Sequence, residues 1–394
     1  MHWRWFCPVC LVLLALLISG CLRAEQSEPL HTGAERADAY LPLLGDERVG
    51  LVVNQTSRVG DEHLIDFLRD RDVRVRKIFA LEHGIRGDVE NGGQVESGVD
   101  GPSGLPVVSL YGGNYAPSAE QVSDLDWLLF DIQDVGVRFY TYISSLHYLM
   151  QACADYDVPL LVLDRPNPNG DYVGGPVLEP EFRSFVGMHP IPLVHGLTVG
   201  ELAQMINGEG WLKGGAQCEL TVIPVAGYEK SMAYSLPVQP SPNLPNDLSI
   251  RLYPSLGLFE GTSVSIGRGT GFPFQVIGHP ADTAGQFSFT PRPVPGASEN
   301  PKHNGKQLSG QDLRGEPLSS RFTLEYLVDW QQRTGEGDEE YFSRAGFFDK
   351  LAGTDALRRA VLAGQGAEEI RRSWEPDIQA YLERRQPYLL YPQD

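Results

Sequence analysis

A carboxylate, an imidazole and a glycine follow one another at the end of an apolar run in this sequence. Residues 77–84 read KIFALEHG, so Glu82, His83 and Gly84 come directly after the apolar residues. A carboxyl group placed there is partly shielded from water, and beside an imidazole it can act as a general acid or base. In the structural alternative, Glu82 caps the next segment and His83 bonds a backbone carbonyl. The residues alone leave both interpretations open.

Five apolar runs in the first half predict the strands of a parallel sheet. They are rich in branched residues, end in polar residues and alternate with amphipathic stretches, as in doubly wound α/β folds. The runs span residues 49–56, 73–81, 105–112, 126–136 and 158–167. Helices are predicted over residues 61–70 and 142–156, and after Thr198, which has Glu201 at capping-box spacing.

Polar residues collect where these predicted strands end. In open parallel sheets, ligands bind beyond the carboxyl ends of the strands. The predicted rim contains Asn54, Glu82, Tyr111, Asp131, Gln133, Asp134, Asp164, Arg165 and Asn167. The loop after the first run reads NQTSRVG instead of GxGxxG, which argues against a nicotinamide cofactor, and GRGTGF at 267–272 lacks a P-loop lysine. No cofactor is predicted.

The second half of the chain is less regular. Residues 236–280 combine many prolines and glycines with large apolar side chains, which predicts ordered loops that shape a cleft wall. Helical patterns return at residues 356–364 and 367–385. We predict a boundary near residue 213, between a doubly wound domain of residues 42–213 and a C-terminal domain of residues 214–394.

The N-terminus predicts export and lipidation. Residues 1–20 contain a short apolar run and end in ISG before Cys21, as in a lipoprotein signal peptide. The thiol of Cys21 would carry the lipid, and residues 21–41 would form a polar tether to the membrane. An ordinary signal peptide or a membrane anchor is the alternative. We therefore expect an exported bacterial lipoprotein that faces the periplasm or cell envelope.

Charge and metal-ligand spacing narrow the classes of partner. The net charge of −19 argues against nucleic acid or an anionic bilayer surface as the main partner. Five histidines, His83, His147, His189, His195 and His279, show no HExxH or HxH spacing, so no metal site is predicted. Cys153 and Cys218 lack a CxxC partner and are expected to be buried thiols.

Several motifs together resemble those of the exo-lytic β-N-acetylmuramidases, the NamZ-type enzymes of peptidoglycan turnover. The resemblance runs from about residue 45 to the C-terminus through GLVVNQTS, LEHGIRGD, DIQDVGVRFYTYISSL, DRPNPNG, PSPNLP and YPSLGLFEGTSVSIGRGTGFPF. The chain departs from the usual family pattern at Ala80-Leu81 and at His279-Pro280.

This resemblance implies a fold and an activity. The expected fold is a Rossmann-like α/β domain followed by a smaller α+β domain, with the active-site cleft between them. The expected reaction removes N-acetylmuramic acid from the non-reducing ends of peptidoglycan fragments, with Glu82 as general acid and His83 orienting or tuning it. The alternative is a lipid-anchored protein that binds wall fragments without cleaving them.

Muramic acid carries a lactyl carboxylate, for which an arginine is the best-suited partner. The candidates for that role are Arg86, Arg138 and Arg268. The second catalytic carboxylate is left open between Asp131, Asp134 and Glu179, or the substrate's own acetamido group replaces it. The other predicted substrate-binding residues are Asn54, Gln133, Asp134, Tyr140, Asn167, Asn169 and Asn243.

Overall fold

The central feature of the fold is a seven-stranded, mostly parallel sheet. The computed structural model describes residues 29–87, 93 and 95–392, so the predicted signal peptide and Cys21 lie outside the described residues. The strands of the described chain are β1 (Arg48–Val53), β2 (Arg58–Val59), β3 (Glu62–His63), β4 (Arg74–Ala80), β5 (Gly98–Val99), β6 (Pro106–Ser109), β7 (Trp127–Asp131), β8 (Leu160–Leu163), β9 (Gly174–Val177), β10 (Pro192–Val194), β11 (Leu220–Ile223), β12 (Val276–His279), β13 (Phe287–Phe289) and β14 (Leu308–Asp312).

The order of strands in the central sheet is β11-β8-β7-β1-β4-β6-β5. All neighbours pair in parallel except β5 and β6, which are antiparallel. After β6 at one side, the chain returns to add β7 on the other side of β1, so the winding direction reverses between the neighbouring strands β1 and β7. Loops that leave β1, β4 and β7 therefore open a crevice at the carboxyl end of the sheet, where ligands of such folds bind.

Alternate strand residues cover the two faces of the sheet. Leu51 and Ile78 belong to one buried cluster, whereas Val52 and Phe79 belong to the other. This period of two, with apolar residues on both sides, explains why the strands read as continuous apolar runs. The cluster that contains Val52 and Phe79 also includes Trp330 and so extends into the C-terminal part. Both halves of the chain thus share one core.

Helices cover both faces of the central sheet and build much of the C-terminal part. Their bounds are α1 (Ala37–Leu44), α2 (Leu64–Arg69), α3 (Ala119–Val122), α4 (Tyr142–Tyr156), α5 (Val199–Gly208), α6 (Asp247–Leu256), α7 (Glu325–Thr334), α8 (Asp338–Tyr341), α9 (Ala345–Ala352), α10 (Ala356–Leu362), α11 (Ala367–Ser373) and α12 (Glu375–Arg385). Short 3₁₀ turns cover Gly33–Glu35, Pro180–Phe182, Lys213–Gly215, Gly257–Gly261 and Gln386–Tyr388. Strands β12, β14 and β13 form a small antiparallel sheet beside them.

The mixed α/β fold class is confirmed. All five apolar runs form strands of the central sheet, and Thr198 and Glu201 form the capping box that opens α5. The stretch at 367–385 is two helices rather than one, because Pro376 has no N–H to continue the first helix and begins the second.

Three further features bear on the predictions. The boundary near residue 213 stays a prediction, and the edge strand β11 lies beyond it. Cys153 and Cys218 are free and buried, as expected. Within residues 29–87, 93 and 95–392, no helix is both long and apolar enough to cross a bilayer.

Candidate active site

Glu82 follows β4 directly and is held by two hydroxyl groups. Its side chain is largely buried, with 6% of the residue exposed. The Tyr111 hydroxyl donates to Oε1 at 2.8 Å, and Thr141 Oγ1 donates to Oε2 at 2.5 Å. Tyr111 comes from the loop after β6, and Thr141 precedes α4. The carboxyl group is therefore fixed at the carboxyl edge of the sheet by two separate loops.

Burial, together with the neighbouring Glu82 carboxylate, raises the pKa of Tyr111 far above its ordinary value. Its hydroxyl thus keeps its proton at any physiological pH and stays a donor. Tyr142 also donates, from its hydroxyl to the backbone carbonyl of Glu82 at 3.2 Å. Both the side chain and the backbone of Glu82 are held in this way, which is the positioning that an acid catalyst needs.

The backbone turns sharply immediately after Glu82. His83 and Gly84 have φ values of 68° and 72°, and the Gly84 N–H bonds the Leu81 carbonyl at 3.0 Å. Glycine adopts this left-handed conformation readily, whereas histidine does so at a cost of about 1 kcal/mol. The turn directs His83 into the same cleft as Glu82. A sharp turn thus follows Glu82, and the strained residue stands beside the acid.

Both halves of the chain form the wall of a cleft of ≈ 290 Å³ around this turn. The first half contributes Glu82, His83, Tyr111, Phe139, Tyr140, Thr141, Tyr142, Phe185 and Val186, and the second contributes Ser241, Asn243, Leu244, Tyr253, Gly257, Glu260, Arg268, Phe274, Arg344, Phe347 and Leu351. A cavity with a few charged groups among several aromatic rings suits a sugar that also carries a charge.

This wall contains three of the predicted binding residues, Tyr140, Asn243 and Arg268. Tyr140 packs edge-to-face against Tyr142, with ring centroids 5.1 Å apart, and its hydroxyl donates to the Pro240 carbonyl at 2.7 Å. Asn243 donates from Nδ2 to the Ala297 carbonyl at 2.7 Å. Tyr140 and Asn243 are thus held in place by the protein, and their contact with substrate stays a prediction.

An ion pair that the sequence did not predict stands in the same wall. Arg268 Nε donates to Glu260 Oε1 at 2.5 Å, and its guanidinium lies over the Phe274 ring at 4.9 Å from the centroid. Burial alone would raise the pKa of Glu260, but the charges of Arg268 and Lys302 outweigh it, so this pKa lies below its ordinary value. Glu260 is therefore a carboxylate in the cleft that stays ionised.

Arg344 is the other arginine of the cleft, and it lies outside the motifs from which site residues were predicted. Its guanidinium lies over the Phe347 ring at 4.3 Å from the centroid, and its charge helps to lower the pKa of Glu260. Its backbone N–H bonds the Gly261 carbonyl at 3.0 Å, which brings it beside the turn that carries Glu260. That turn also packs closely on the first half of the chain. A Cβ atom added at Gly257 would lie only 2.4 Å from the Phe139 ring, so no side chain fits there.

Two arginines predicted to bind substrate are placed elsewhere. Arg138 is fully buried and donates to the carbonyls of Pro176, Ile191, Leu351 and Ala352. Burial lowers the pKa of Arg138 to about 9. These contacts contradict its predicted substrate role, because its guanidinium joins the two halves of the protein instead. Arg86 pairs with Asp100 at 2.9 Å and does not line the cleft as the structure describes it.

The polar rim is brought together as predicted, but apart from Glu82 and Tyr111 its side chains brace the loops instead of lining the cleft. Asn54 Nδ2 donates to the Tyr142 hydroxyl, and Gln133 Nε2 to the Asp134 and Pro166 carbonyls. Asp134 accepts from the Gly136 N–H. The remaining two amides do the same: Asn167 donates to the Leu197 carbonyl, and Asn169 to those of Val135 and Ile250. Their direct substrate contact finds no support in this geometry.

The three candidates for a second carboxylate lie outside the cleft wall as well. Asp131 is buried in an ion pair with Arg165 at 2.6 Å, and Asp134 is among the bracing residues. Glu179 accepts from Thr354 in a separate cavity of ≈ 440 Å³. Glu260 is the carboxylate that shares the described cleft with Glu82. In the described chain, no three His, Cys, Asp or Glu side chains are arranged to hold a metal ion.

A carboxyl group at the edge of a cleft that holds one sugar ring is the central requirement of enzymes that hydrolyse glycosides. Residues 49–248 match the family model for the N-terminal part of exo-beta-N-acetylmuramidase NamZ, and residues 251–391 match its C-terminal part. The chain is 39% identical to the peptidoglycan beta-N-acetylmuramidase NamZ of Bacillus subtilis, over 96% of this chain and 98% of that protein.

Solved structures agree with this relationship. Two DUF1343 family proteins of Bacteroides fragilis superpose with TM-scores of 0.86 and 0.80, at 44% and 29% identity. They cover 93% and 92% of this chain, and the chain covers 100% and 99% of them. The chain belongs to the NamZ family of exo-β-N-acetylmuramidases, which are glycoside hydrolases. The family supports the predicted hydrolase and not the alternative of a binding protein without catalysis.

Proposed function

We propose that this protein releases N-acetylmuramic acid from the non-reducing ends of peptidoglycan fragments, with Glu82 as the general acid. The observation that carries the proposal is the carboxyl group of Glu82, held by Tyr111 and Thr141 in the cleft. The volume of the cleft, ≈ 290 Å³, is at the small end of ligand pockets, which span about 300 to 1,000 Å³. A cleft of this size suits a terminal sugar better than an internal stretch of glycan.

In this mechanism Glu82 donates a proton to the glycosidic oxygen while the bond from that oxygen to the anomeric carbon breaks. The sugar develops oxocarbenium character, and water finally supplies a hydroxyl to the anomeric carbon and a proton to the carboxylate. Glu260 is the second carboxylate, because it is ionised in the same cleft when Glu82 must carry a proton. It acts at the anomeric carbon, on the side opposite the leaving oxygen.

The lactyl carboxylate is the group that distinguishes muramic acid from glucosamine. Arg344 and Arg268 line the cleft and supply the positive charge for it. Arg268 already pairs with Glu260, so Arg344 is the arginine whose charge is available to a ligand. An arginine can bind a carboxylate with two parallel hydrogen bonds, which gives both attraction and orientation.

Export and lipidation at Cys21 complete the proposal. Its support is the short apolar run that ends in ISG before Cys21. A lipid on Cys21 with residues 22–41 as tether would hold the enzyme at a membrane, within reach of wall fragments.

The decisive experiment compares two fragments that differ in their non-reducing end. Purified protein should release free N-acetylmuramic acid from an oligosaccharide that begins with N-acetylmuramic acid. An oligosaccharide that begins with N-acetylglucosamine should yield no product. Release of internal fragments from both would replace the exo mode by an endo mode, and no release from either would refute the proposed function.

A further inference from the structure

Four partly exposed aromatic rings continue outward from the catalytic cleft. Tyr111, Tyr115, Tyr148 and Phe185 form this aromatic wall, in which none of the four is fully buried. Phe185 stacks on Tyr115 at 4.3 Å between centroids, and Tyr115 stacks on Tyr148 at 5.7 Å. Tyr111 joins them at 6.0 Å from Phe185 and 6.2 Å from Tyr115. The rings therefore form one continuous apolar surface.

One end of the aromatic wall contacts the acid directly. The Tyr111 hydroxyl donates to Glu82 Oε1, so this ring lies beside the carboxyl group that protonates the glycosidic oxygen. Tyr111 and Phe185 line the cleft, whereas Tyr115 and Tyr148 do not. The surface thus begins inside the cleft at the acid and extends beyond it.

The charged residues of the cleft come from a different part of the chain. Glu260, Arg268 and Arg344 belong to the second half, and the whole aromatic wall belongs to the first. The terminal sugar carries the lactyl carboxylate and needs the arginines. The sugar that leaves is uncharged, and the faces of its ring are apolar enough to stack on aromatic side chains.

We propose that the aromatic wall binds the sugar on the leaving-group side of the cleaved bond, an uncharged N-acetylhexosamine ring of the glycan. This inference rests on the proposed function, since it needs a bond cleaved at Glu82. An exo-acting enzyme encloses one terminal sugar and must guide the rest of the chain out of the cleft. An aromatic surface that starts at the acid provides that path, with the Tyr111 ring inclined by 53° to Phe185 and by 77° to Tyr115.

Tyr115→Ala tests the proposal, because Tyr115 stacks with two members of the wall but does not contact Glu82. Two substrates are compared: the disaccharide of N-acetylmuramic acid linked to N-acetylglucosamine, and the methyl β-glycoside of N-acetylmuramic acid, which has no second ring. We expect kcat/KM for the disaccharide to fall about tenfold, mainly through KM, the size of one lost aromatic contact. The methyl glycoside should change by less than about threefold.

Two control variants separate binding from folding. Tyr115→Phe keeps the ring and should restore disaccharide turnover. Phe287→Ala removes a half-buried ring that stacks on Phe289 in the small sheet, and it should affect both substrates alike. An equal loss on both substrates for Tyr115→Ala, or no loss on the disaccharide, would overturn the subsite.

A binding measurement makes the result independent of turnover. Calorimetry in the Glu82→Gln background should show weaker disaccharide binding, by about tenfold, when Tyr115→Ala is added. If the wild type hydrolyses neither substrate, the proposed function fails, and this comparison still decides whether the wall binds the second sugar. Unchanged disaccharide affinity in the double variant would refute the subsite alone.

Discussion

Replacing the acid with its amide gives the sharpest test of the mechanism. Glu82→Gln keeps the size of the side chain but removes the proton that it would donate. Loss of a general acid costs about 100- to 10,000-fold in rate, or about 2.7 to 5.5 kcal/mol of transition-state stabilisation. We therefore expect kcat for the disaccharide to fall by that factor.

The local hydrogen bonds indicate that the variant should fold. Oε1 and Oε2 of Glu82 accept hydrogen bonds from Tyr111 and Thr141. In the glutamine variant one of these two oxygens becomes an NH₂ group, so only one acceptor is lost. The Thr141 hydroxyl can rotate to accept from that nitrogen, so at most about 1 kcal/mol is lost. In a chain of this size that corresponds to a decrease in Tm of about 2 °C. Glu179→Gln, in the separate cavity, is the matched control and should retain wild-type activity.

The assay compares leaving groups of different quality. A dinitrophenyl glycoside of N-acetylmuramic acid releases a stable anion that needs little protonation, whereas a sugar alkoxide needs it fully. Glu82→Gln should therefore lose less than about tenfold on the dinitrophenyl substrate while losing most of its activity on the disaccharide. Equal losses on both would mean that Glu82 does not act as the proton donor, and wild-type turnover on both would remove it from the mechanism.

Four other predictions concern the remaining parts of the site and the N-terminus. Azide should restore activity to Glu260→Ala and give the α-configured glycosyl azide by NMR, while a β-azide or no rescue would exclude Glu260 as the second carboxylate. The pKa of Glu260 is lower in the folded protein than its value of 4.5 in the unfolded chain, so ionised Glu260 stabilises the fold above pH 4.5. This stabilisation is lost as the pH falls below 4.5, and Glu260→Gln should therefore reduce the difference in Tm between pH 7 and pH 4. Arg344→Ala should lower kcat/KM for muramic acid glycosides by a factor that corresponds to about 1.5 to 3 kcal/mol of lost transition-state stabilisation, and kcat/KM for N-acetylglucosamine glycosides by much less. An equal loss on both substrates would refute the role of Arg344 in selecting the lactyl carboxylate. Cys21→Ser should abolish labelling by fatty acid and leave the membrane fraction without the protein, whereas continued labelling would show that the lipidated residue is another one.

The sequence predicted those features that depend on local pattern. Branched apolar runs gave the strands, and the polar residue after each run had to lie at the carboxyl edge of a parallel sheet. Glu82 was placed correctly for this reason, since the position of a strand end fixes the residue that follows it. His83 and Gly84 form a tight turn beside it, as their positive φ values show.

Long-range packing decided the residues that the sequence could not place. Arg138 was a candidate binding residue because it lies in one of the motifs, among glycines or polar loop residues, yet its partners include the carbonyl of Ala352, 214 positions away. No local signal reports such a contact. Glu260 and Arg344 were missed for the same reason, because each becomes a cleft residue only when α9 packs against the turn Gly257–Gly261.

The charges of the cleft explain how a protein with a net charge of −19 can accept an anionic sugar. Glu260 and Arg268 form a pair whose charges cancel. Glu82 must carry a proton to act as general acid, so in the active form it adds no charge. The charge of Lys302, which also acts on Glu260, lies on an ammonium that donates to three backbone carbonyls and does not line the cleft. With that group and the imidazole of His83 left aside, Arg344 gives the lining of the described cleft a charge of one, opposite to the single lactyl carboxylate. The same argument predicts that ionised Glu82 repels the substrate, so the protonation state that is needed for catalysis is also the one that favours binding.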